Sequence, residues 1–77
     1  MRRLVYLVTF EQKHQTGHLV CATKEVAVKT LLEWVNGRRE MFEVPETISD
    51  EQALENWFEY TGYTENIYYD IKPVITS

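Results

Sequence analysis

Cysteine is almost absent from this sequence, and Cys21 is its single example. One thiol cannot form an intramolecular disulfide, whereas small secreted domains usually depend on several. We therefore expect a protein of a reducing compartment, namely the cytoplasm.

Long apolar runs are missing as well. The run Leu4–Val8 follows Arg2 and Arg3 but stops at Thr9, short of the ~7–15 apolar residues in the core of a signal peptide. No stretch approaches the ~20 apolar residues of a membrane span. We expect neither a secretory leader nor contact with a membrane.

Glycine is scarce, and its three copies stand far apart at Gly17, Gly37 and Gly62. This spacing excludes a glycine-rich loop that could hold a phosphate group. The carboxylates lie in polar segments, where nothing buries them to raise their pKa values for acid–base chemistry. We therefore expect no enzymatic activity and no cofactor.

A metal site is not expected either. His14, His18 and Cys21 are three candidate ligands, whereas a structural zinc site needs four. His18 and Cys21 are three residues apart in a predicted strand, so they should face opposite sides of the sheet. A nucleophilic Cys21 beside one of the histidines would have no third group to orient it.

The apolar and aromatic contents, 44% and 13% of 77 residues, are those of a folded domain. This length allows a single domain over residues 1–77 with one small core. The composition predicts a monomer or a small homo-oligomer, including a homodimer that uses a second apolar face of the first strand.

Three segments have the composition of strands. Leu4–Phe10 and His18–Ala22 are rich in β-branched or other apolar residues, and 67–75 alternates apolar with polar residues. Pro73 favours an edge position for the third of these strands. Residues 40–44 form either a short fourth strand, in which Phe42 and Val44 alternate with Glu43, or a loop.

Two segments have helical periodicity. Thr23 is a suitable N-cap for a helix over 24–36 with Gly37 after its end, and its apolar stripe consists of Val28, Leu31, Leu32 and Val35. Ser49 and Gln52 form a capping-box pattern at the start of a second helix that ends at Gly62. Its predicted buried face consists of Ala53, Leu54, Trp57 and Phe58.

These elements predict an α+β fold in the order β-β-α-(β)-α-β. Three or four mostly antiparallel strands would form one sheet, and the two helices would pack on one of its faces.

Charge is distributed unevenly between the two halves of the chain. The net charge is +4 over residues 1–39 and −8 over residues 40–77, although the total is only −4. Such asymmetry indicates charged partners rather than a particular fold.

Acidic residues at four-residue spacing mark the second predicted helix. Glu51, Glu55 and Glu59 would form a ridge on its outer side, with Glu43 and Glu46 close by in sequence. Such a ridge could bind a basic protein surface in place of nucleic acid. The alternative is an ordinary solvated helix face, partly paired with Arg38 or Arg39, since helix surfaces are commonly charged.

Tyrosines cluster around Gly62, and Tyr60 and Tyr63 lie next to the acidic helix. Tyrosine is favoured at interfaces because it offers a large area at low entropic cost. Tyr60 and Tyr63 are therefore candidate aromatic anchors, or they cover the open ends of the sheet and helix.

The basic N-terminal half leaves a second functional hypothesis open. Arg2, Arg3, Lys13, Arg38 and Arg39 could converge on one side and contact phosphate groups. This would make the protein a small nucleic-acid-binding or regulatory module. The pI near 5.0 counts against direct nucleic-acid binding.

The segments Arg3–Phe10 and Gly17–Ala27 give a hairpin followed by a helix. In this pattern, over about a third of its length, the chain resembles small phage and prophage accessory proteins, including anti-CRISPR proteins, which are similar in size and acidity. The resemblance implies an inhibitor in the cytoplasm of a host cell and assigns no functional residue.

Together these features predict a non-enzymatic protein-interaction module, of the phage or mobile-element inhibitor type, whose partner is a protein with a basic surface. Its predicted partner-binding residues are Glu43, Glu46, Glu51, Glu55, Glu59, Tyr60 and Tyr63.

Overall fold

The computed structural model describes residues 2–75 and, within that range, the side chains of residues 3–74. The elements are β1 (Arg2–Glu11), β2 (Thr16–Cys21), α1 (Lys24–Arg38), α2 (Asp50–Glu55), α3 (Trp57–Tyr60) and β3 (Asn66–Ile75). The predicted α+β class is confirmed. Over residues 2–75 the order of elements is β-β-α-α-α-β, with three helices where two were predicted.

The sheet has three antiparallel strands in the order β2-β1-β3. The first strand is central, a position that suits the largely apolar composition of Leu4–Phe10. It pairs with β3 along its full length, from Arg2↔Ile75 to Glu11↔Asn66. It pairs with β2 only from Tyr6↔Cys21 to Glu11↔Thr16. The first residues of β1 and the last residues of β3 therefore extend beyond β2 as a two-stranded ribbon.

The core lies between one face of this sheet and the helices. Val8, Cys21 and Ile67 lie on the same face of the sheet. Cys21 pairs with Tyr6 and Ile67 pairs with Phe10, and Tyr6 and Phe10 are each two residues from Val8, so their side chains share its face. The buried apolar residues are Val8, Cys21, Ala27, Leu31, Val35, Val44, Ala53, Trp57 and Ile67.

The first helix begins as predicted but is longer and slightly rotated. The Thr23 side chain accepts a hydrogen bond from the backbone N–H of Val26 at 3.2 Å. The buried positions are Ala27, Leu31 and Val35, whereas Val28 and Leu32 of the predicted stripe are half-buried. The buried face of the helix is thus rotated from the predicted stripe toward Ala27 and away from Val28 and Leu32.

The prediction that this helix stops before Gly37 is wrong. Gly37 is helical, and the N–H of Arg39 still bonds to the carbonyl of Val35 at 2.9 Å. The left-handed residue lies further on, at Glu43 with φ of 56°. There the chain turns back, and the N–H of Val44 reaches the carbonyl of Arg39 at 3.0 Å.

A fourth strand is not formed by residues 40–44. These residues make hydrogen-bonded turns, such as the bond from the N–H of Glu43 to the carbonyl of Glu40 at 3.1 Å. The turns still deliver both apolar side chains to the core, where Val44 is buried and Phe42 meets the Trp57 ring edge-on at 5.6 Å. The alternation of Phe42 and Val44 with Glu43 therefore correctly indicated which side chains meet the core, but it did not indicate a strand.

The second predicted helix starts and stops as expected but is interrupted. The Ser49 side chain accepts from the N–H of Gln52 at 3.2 Å, and the Gln52 side chain accepts from the N–H of Ser49 at 3.1 Å. This confirms the capping box. At Asn56 the backbone leaves helical geometry, with φ −117° and ψ 21°, and separates α2 from α3. Gly62, at φ of 66°, follows the end of α3.

This interruption changes which residues are buried. Ala53 and Trp57 are buried, as predicted, and Leu54 is half-buried, but Phe58, which was also predicted to be buried, is 45% exposed.

Within residues 2–75, no helix has the length and apolar content needed to cross a membrane.

Candidate interaction surface

The segment from residue 40 to residue 59 contains seven acidic residues and neither lysine nor arginine. It follows α1 and includes the turns, α2 and most of α3. Six of its acids have exposed side chains, and we call these six the acidic surface: Glu40, Glu43, Glu46, Glu51, Glu55 and Glu59. All five carboxylates that the sequence predicted as partner-binding residues belong to it.

The arginines nearest in sequence form their ion pairs with carboxylates outside this surface, and Arg39 also borders a pocket lined by Glu40 and Glu46. Arg38 is paired with Glu65, and Arg39 is paired with Asp50 at 2.6 Å. The other ion pairs join Lys29 to Glu33 and Lys72 to Asp70. Among the side chains that the structure describes, no member of the acidic surface takes part in an ion pair.

The regular ridge predicted for Glu51, Glu55 and Glu59 is interrupted. Glu51 and Glu55 lie in α2, whereas Glu59 lies in α3, beyond the break at Asn56. All three side chains are nevertheless exposed. The break therefore alters their spacing without removing any of them from the surface.

The two candidate tyrosines occupy different environments. Tyr60 is half-buried and packs against the core, whereas Tyr63 is 69% exposed with φ of 64°. The ring of Tyr63 meets that of Phe58 at a centroid distance of 5.1 Å and an interplanar angle of 73°. Tyr63 and Phe58 are thus the exposed aromatic residues of this part of the chain, whereas Tyr60 is partly covered by the core.

Glu65, which no sequence pattern marked as a site residue, is only 3% exposed. Its carboxylate accepts hydrogen bonds from the indole N–H of Trp34 at 3.1 Å and of Trp57 at 3.0 Å, and from the guanidinium of Arg38. Burial raises the pKa of Glu65, but these hydrogen bonds, led by that of Arg38, together with the Arg38 charge, outweigh burial and lower it below its ordinary value. A signal was present in the two tryptophans, because a buried indole needs an acceptor.

Arg38 and Arg39 have structural partners, which weakens the nucleic-acid hypothesis. The guanidinium of Arg38 stacks 4.7 Å above the Trp34 ring while it binds Glu65. Arg39 donates to the carbonyl oxygens of Pro45 and Ile48 as well as to Asp50. Both guanidinium groups are thus already paired with a carboxylate of this chain.

The remaining basic residues of that hypothesis do not converge. Arg3 lies near the start of β1, and Lys13 lies past its end in the loop to β2. At ~3.3 Å per strand residue, at least about 25 Å of strand separates them. The side chain of Arg2 lies outside the described part of the structure. The predicted basic patch is therefore not assembled by the residues whose side chains are described.

The candidate metal ligands are also separated. Cys21 is buried in the core, whereas His18 lies on the opposite face of the sheet, where its Nδ1 is 3.2 Å from the hydroxyl oxygen of Thr9. This placement agrees with the expectation from strand alternation. His14 is exposed in the loop between β1 and β2. Within the described residues, no group of three or more potential metal ligands is found.

Comparison with known proteins gives no match from which a role for this surface could be taken. No protein family matches the sequence, and neither a curated protein nor a solved structure shows significant similarity to the chain.

Proposed function

We propose that this chain is a non-enzymatic protein-interaction module that binds a basic surface of a partner protein through its acidic surface. The observation that supports the proposal is the group of six exposed carboxylates that have no cationic partner among the described side chains. Like charges held close together cost stability when no cation offsets them. A cationic partner would relieve that repulsion, so the arrangement suits binding better than stability.

The basic surface of the partner would be one that normally contacts nucleic acid. Such surfaces are rich in lysine and arginine because phosphate groups dominate their affinity. A carboxylate-bearing protein that covers them competes directly with nucleic acid. Together with the resemblance to small anti-defence proteins of phages, this makes an inhibitor acting in the host cytoplasm the specific form of the proposal.

A charge-matched pair of variants tests the acidic surface. The test variant changes Glu51, Glu55 and Glu59 to Gln, and the control changes Glu11, Glu25 and Glu33 to Gln in β1 and α1. Both remove three negative charges. Binding of an octa-lysine peptide is measured by titration calorimetry at 50 and 200 mM NaCl. We expect the affinity of the test variant for the peptide to fall about tenfold or more and that of the control about threefold or less. A carboxylate that contacts a lysine of the peptide contributes more to affinity than a distant carboxylate, whose attraction is screened by salt.

The test variant should also unfold at an equal or higher temperature than the wild type, because it removes repulsion and no ion pair. Equal loss of affinity in the two variants would mean that only net charge matters, and the proposed surface would be wrong. Retention of the wild-type chain on heparin at moderate salt would instead support the nucleic-acid-binding alternative.

A further inference from the structure

Two aromatic rings that sequence periodicity assigned to different environments form one exposed pair. Phe58 is 45% exposed and Tyr63 is 69% exposed, and their rings meet edge to face with centroids 5.1 Å apart. Neither residue belongs to the core or to the half-buried layer packed against it. This pair is therefore apolar surface that the fold of the described residues leaves in water.

The backbone at the end of α3 holds the pair together. The N–H of Tyr63 bonds to the carbonyl of Phe58 at 2.8 Å, and the N–H of Gly62 bonds to the carbonyl of Glu59 at 3.0 Å. An apolar contact between the residues that close such a helix end is common. Helix closure explains why the rings touch, but it does not require two large aromatic rings at so exposed a place.

The sequence around the pair is acidic. Glu59 follows Phe58 directly, Glu55 precedes it by three residues, and no lysine or arginine occurs between residues 40 and 71. Aromatic rings have negative faces, which attract cations, and nearby carboxylates add to that attraction. In the described structure, the two cation–aromatic contacts both use Arg38, over Trp34 and Phe42.

The same chain shows what such a combination binds. Around Arg38, an aromatic face and a carboxylate together hold one guanidinium group, with Trp34 at 4.7 Å and Glu65 as the ion-pair partner. The exposed pair offers aromatic rings, and two exposed carboxylates, Glu55 and Glu59, lie three residues and one residue from Phe58 in the chain. Charge complementarity thus selects a cationic side chain as the occupant.

We infer that Phe58 and Tyr63, flanked by Glu55 and Glu59, form the centre of the partner interface and receive an arginine side chain of the partner protein. Arginine is preferred to lysine because its planar guanidinium stacks on an aromatic ring and bonds to carboxylates in a bidentate manner. This inference rests on the proposed function, and it names the residue type at the centre of the same surface.

Two peptides of equal charge test the preference for arginine independently of the proposal that the acidic surface binds basic partners. Octa-arginine and octa-lysine are titrated into the wild type and into Phe58→Ala, Tyr63→Gly and the control Tyr68→Ala, whose tyrosine is exposed on the other side of the sheet. Glycine suits the positive φ at position 63, so Tyr63→Gly should fold. Circular dichroism verifies the fold of each variant.

The wild type and Tyr68→Ala should bind octa-arginine about three- to fivefold more tightly than octa-lysine, the range expected of an exposed cation–aromatic contact. Phe58→Ala and Tyr63→Gly should reduce this ratio to about one while they still bind both peptides. The inference would be overturned if both aromatic variants kept the wild-type ratio of affinities, or if the wild type did not prefer octa-arginine to octa-lysine. Neither result would contradict the proposal that the acidic surface binds basic partners. Failure of the wild type to bind either peptide would overturn the proposed function as well.

Discussion

Among the described residues, Glu65 is the only buried carboxylate, and two tryptophans and an arginine share it. These three donors come from α1 and α3, while Glu65 itself immediately precedes β3. A buried charge is tolerated only when it is paired and hydrogen-bonded. Glu65 meets both conditions, so its charge links both ends of the helical layer to the sheet.

Replacing Glu65 with Gln should therefore destabilise the protein far more than the loss of an exposed ion pair. The change leaves Arg38 without its carboxylate in a largely covered position, at a cost of about 2–4 kcal/mol of unfolding free energy. Glu33→Gln, which breaks the exposed pair with Lys29, should cost no more than about 0.5 kcal/mol. Urea unfolding of both variants measures the difference, and similar losses would contradict the assigned role of Glu65.

The pH dependence has a defined sign, since the pKa of Glu65 is lowered from its ordinary value of 4.5 in the folded state. The contribution of the ionised Glu65 side chain to the unfolding free energy is present in full above the unfolded-state pKa. It is lost as the pH falls through the folded-state pKa. Wild-type stability should thus decline more steeply below about pH 4.5 than that of Glu65→Gln. Parallel profiles between pH 3 and 6 would show that Glu65 does not titrate in this way.

At the scale of the elements, Arg39 joins α1 to the loop that leads into α2. Its guanidinium donates to Pro45 O at 2.8 Å, to Ile48 O at 2.5 Å and to Asp50 Oδ1 at 2.6 Å. The part of the loop that Arg39 contacts, residues 45–48, has one backbone hydrogen bond within it, from the Ile48 N–H to the Pro45 carbonyl at 3.2 Å. A single planar group with several donors thus fixes how α2, and with it part of the acidic surface, sits on the first helix.

Arg39→Lys should fail to preserve this arrangement although it keeps the charge. A lysine ammonium is a point charge that lacks the fork geometry of guanidinium. We expect a loss of about 1–3 kcal/mol of unfolding free energy, against about 0.5 kcal/mol or less for Arg3→Lys at an exposed position. Thermal unfolding by circular dichroism provides the comparison. Equal stability of the two variants would show that the charge alone positions the loop.

The arginines also explain where sequence-based prediction of the elements succeeded and failed. Strand composition, the Thr23 cap and the Ser49 capping box depend on neighbouring residues, and the corresponding elements formed. The end of α1 depends instead on partners 11 and 27 residues away, because Arg39 and Arg38 are held by Asp50 and Glu65. Such contacts continue the helix through Gly37, and no local pattern contains them.

The candidate surface was predictable in its charge but not in its aromatic centre. A run of carboxylates without cations stays exposed in almost any fold, because burying so many charges is too costly. The break at Asn56 is different, since it moves Phe58 from the predicted buried face to the surface while Tyr60 packs on the core. Helical periodicity assumes an uninterrupted helix, so it predicted burial for Phe58, which is exposed, and did not predict that Tyr60 packs on the core.

At the scale of the whole molecule, the sheet has a long outer strand whose edge is blocked. Pro73 has no N–H, and strand alternation places the N–H of Ile71 on the same edge. The carboxylate of Asp70 accepts that N–H at 2.9 Å and pairs with Lys72 at 3.2 Å. The hydrogen bond from Lys72 and that from the Ile71 N–H lower the pKa of Asp70, so Asp70 is charged and keeps its bond at neutral pH.

Restoring this edge should therefore make the protein self-associate. Exposed strand edges are templates for pairing with another chain, and charged residues and proline are the usual protection. The double variant Asp70→Ala, Pro73→Thr regains two backbone donors on an edge next to the exposed side chains of Ile71 and Val74. Sedimentation velocity at micromolar concentration should show larger species than the wild type forms under the same conditions.

The control Glu33→Ala, Pro45→Thr makes the same kinds of change in α1 and in the loop before α2, away from the edge of the sheet. It should sediment as the wild type does. If both double variants sedimented alike, Asp70 and Pro73 would have no protective role, and β3 would become a competing place for a partner to bind. If only the edge variant associates, Asp70 and Pro73 are what close the outer edge of β3 to other chains.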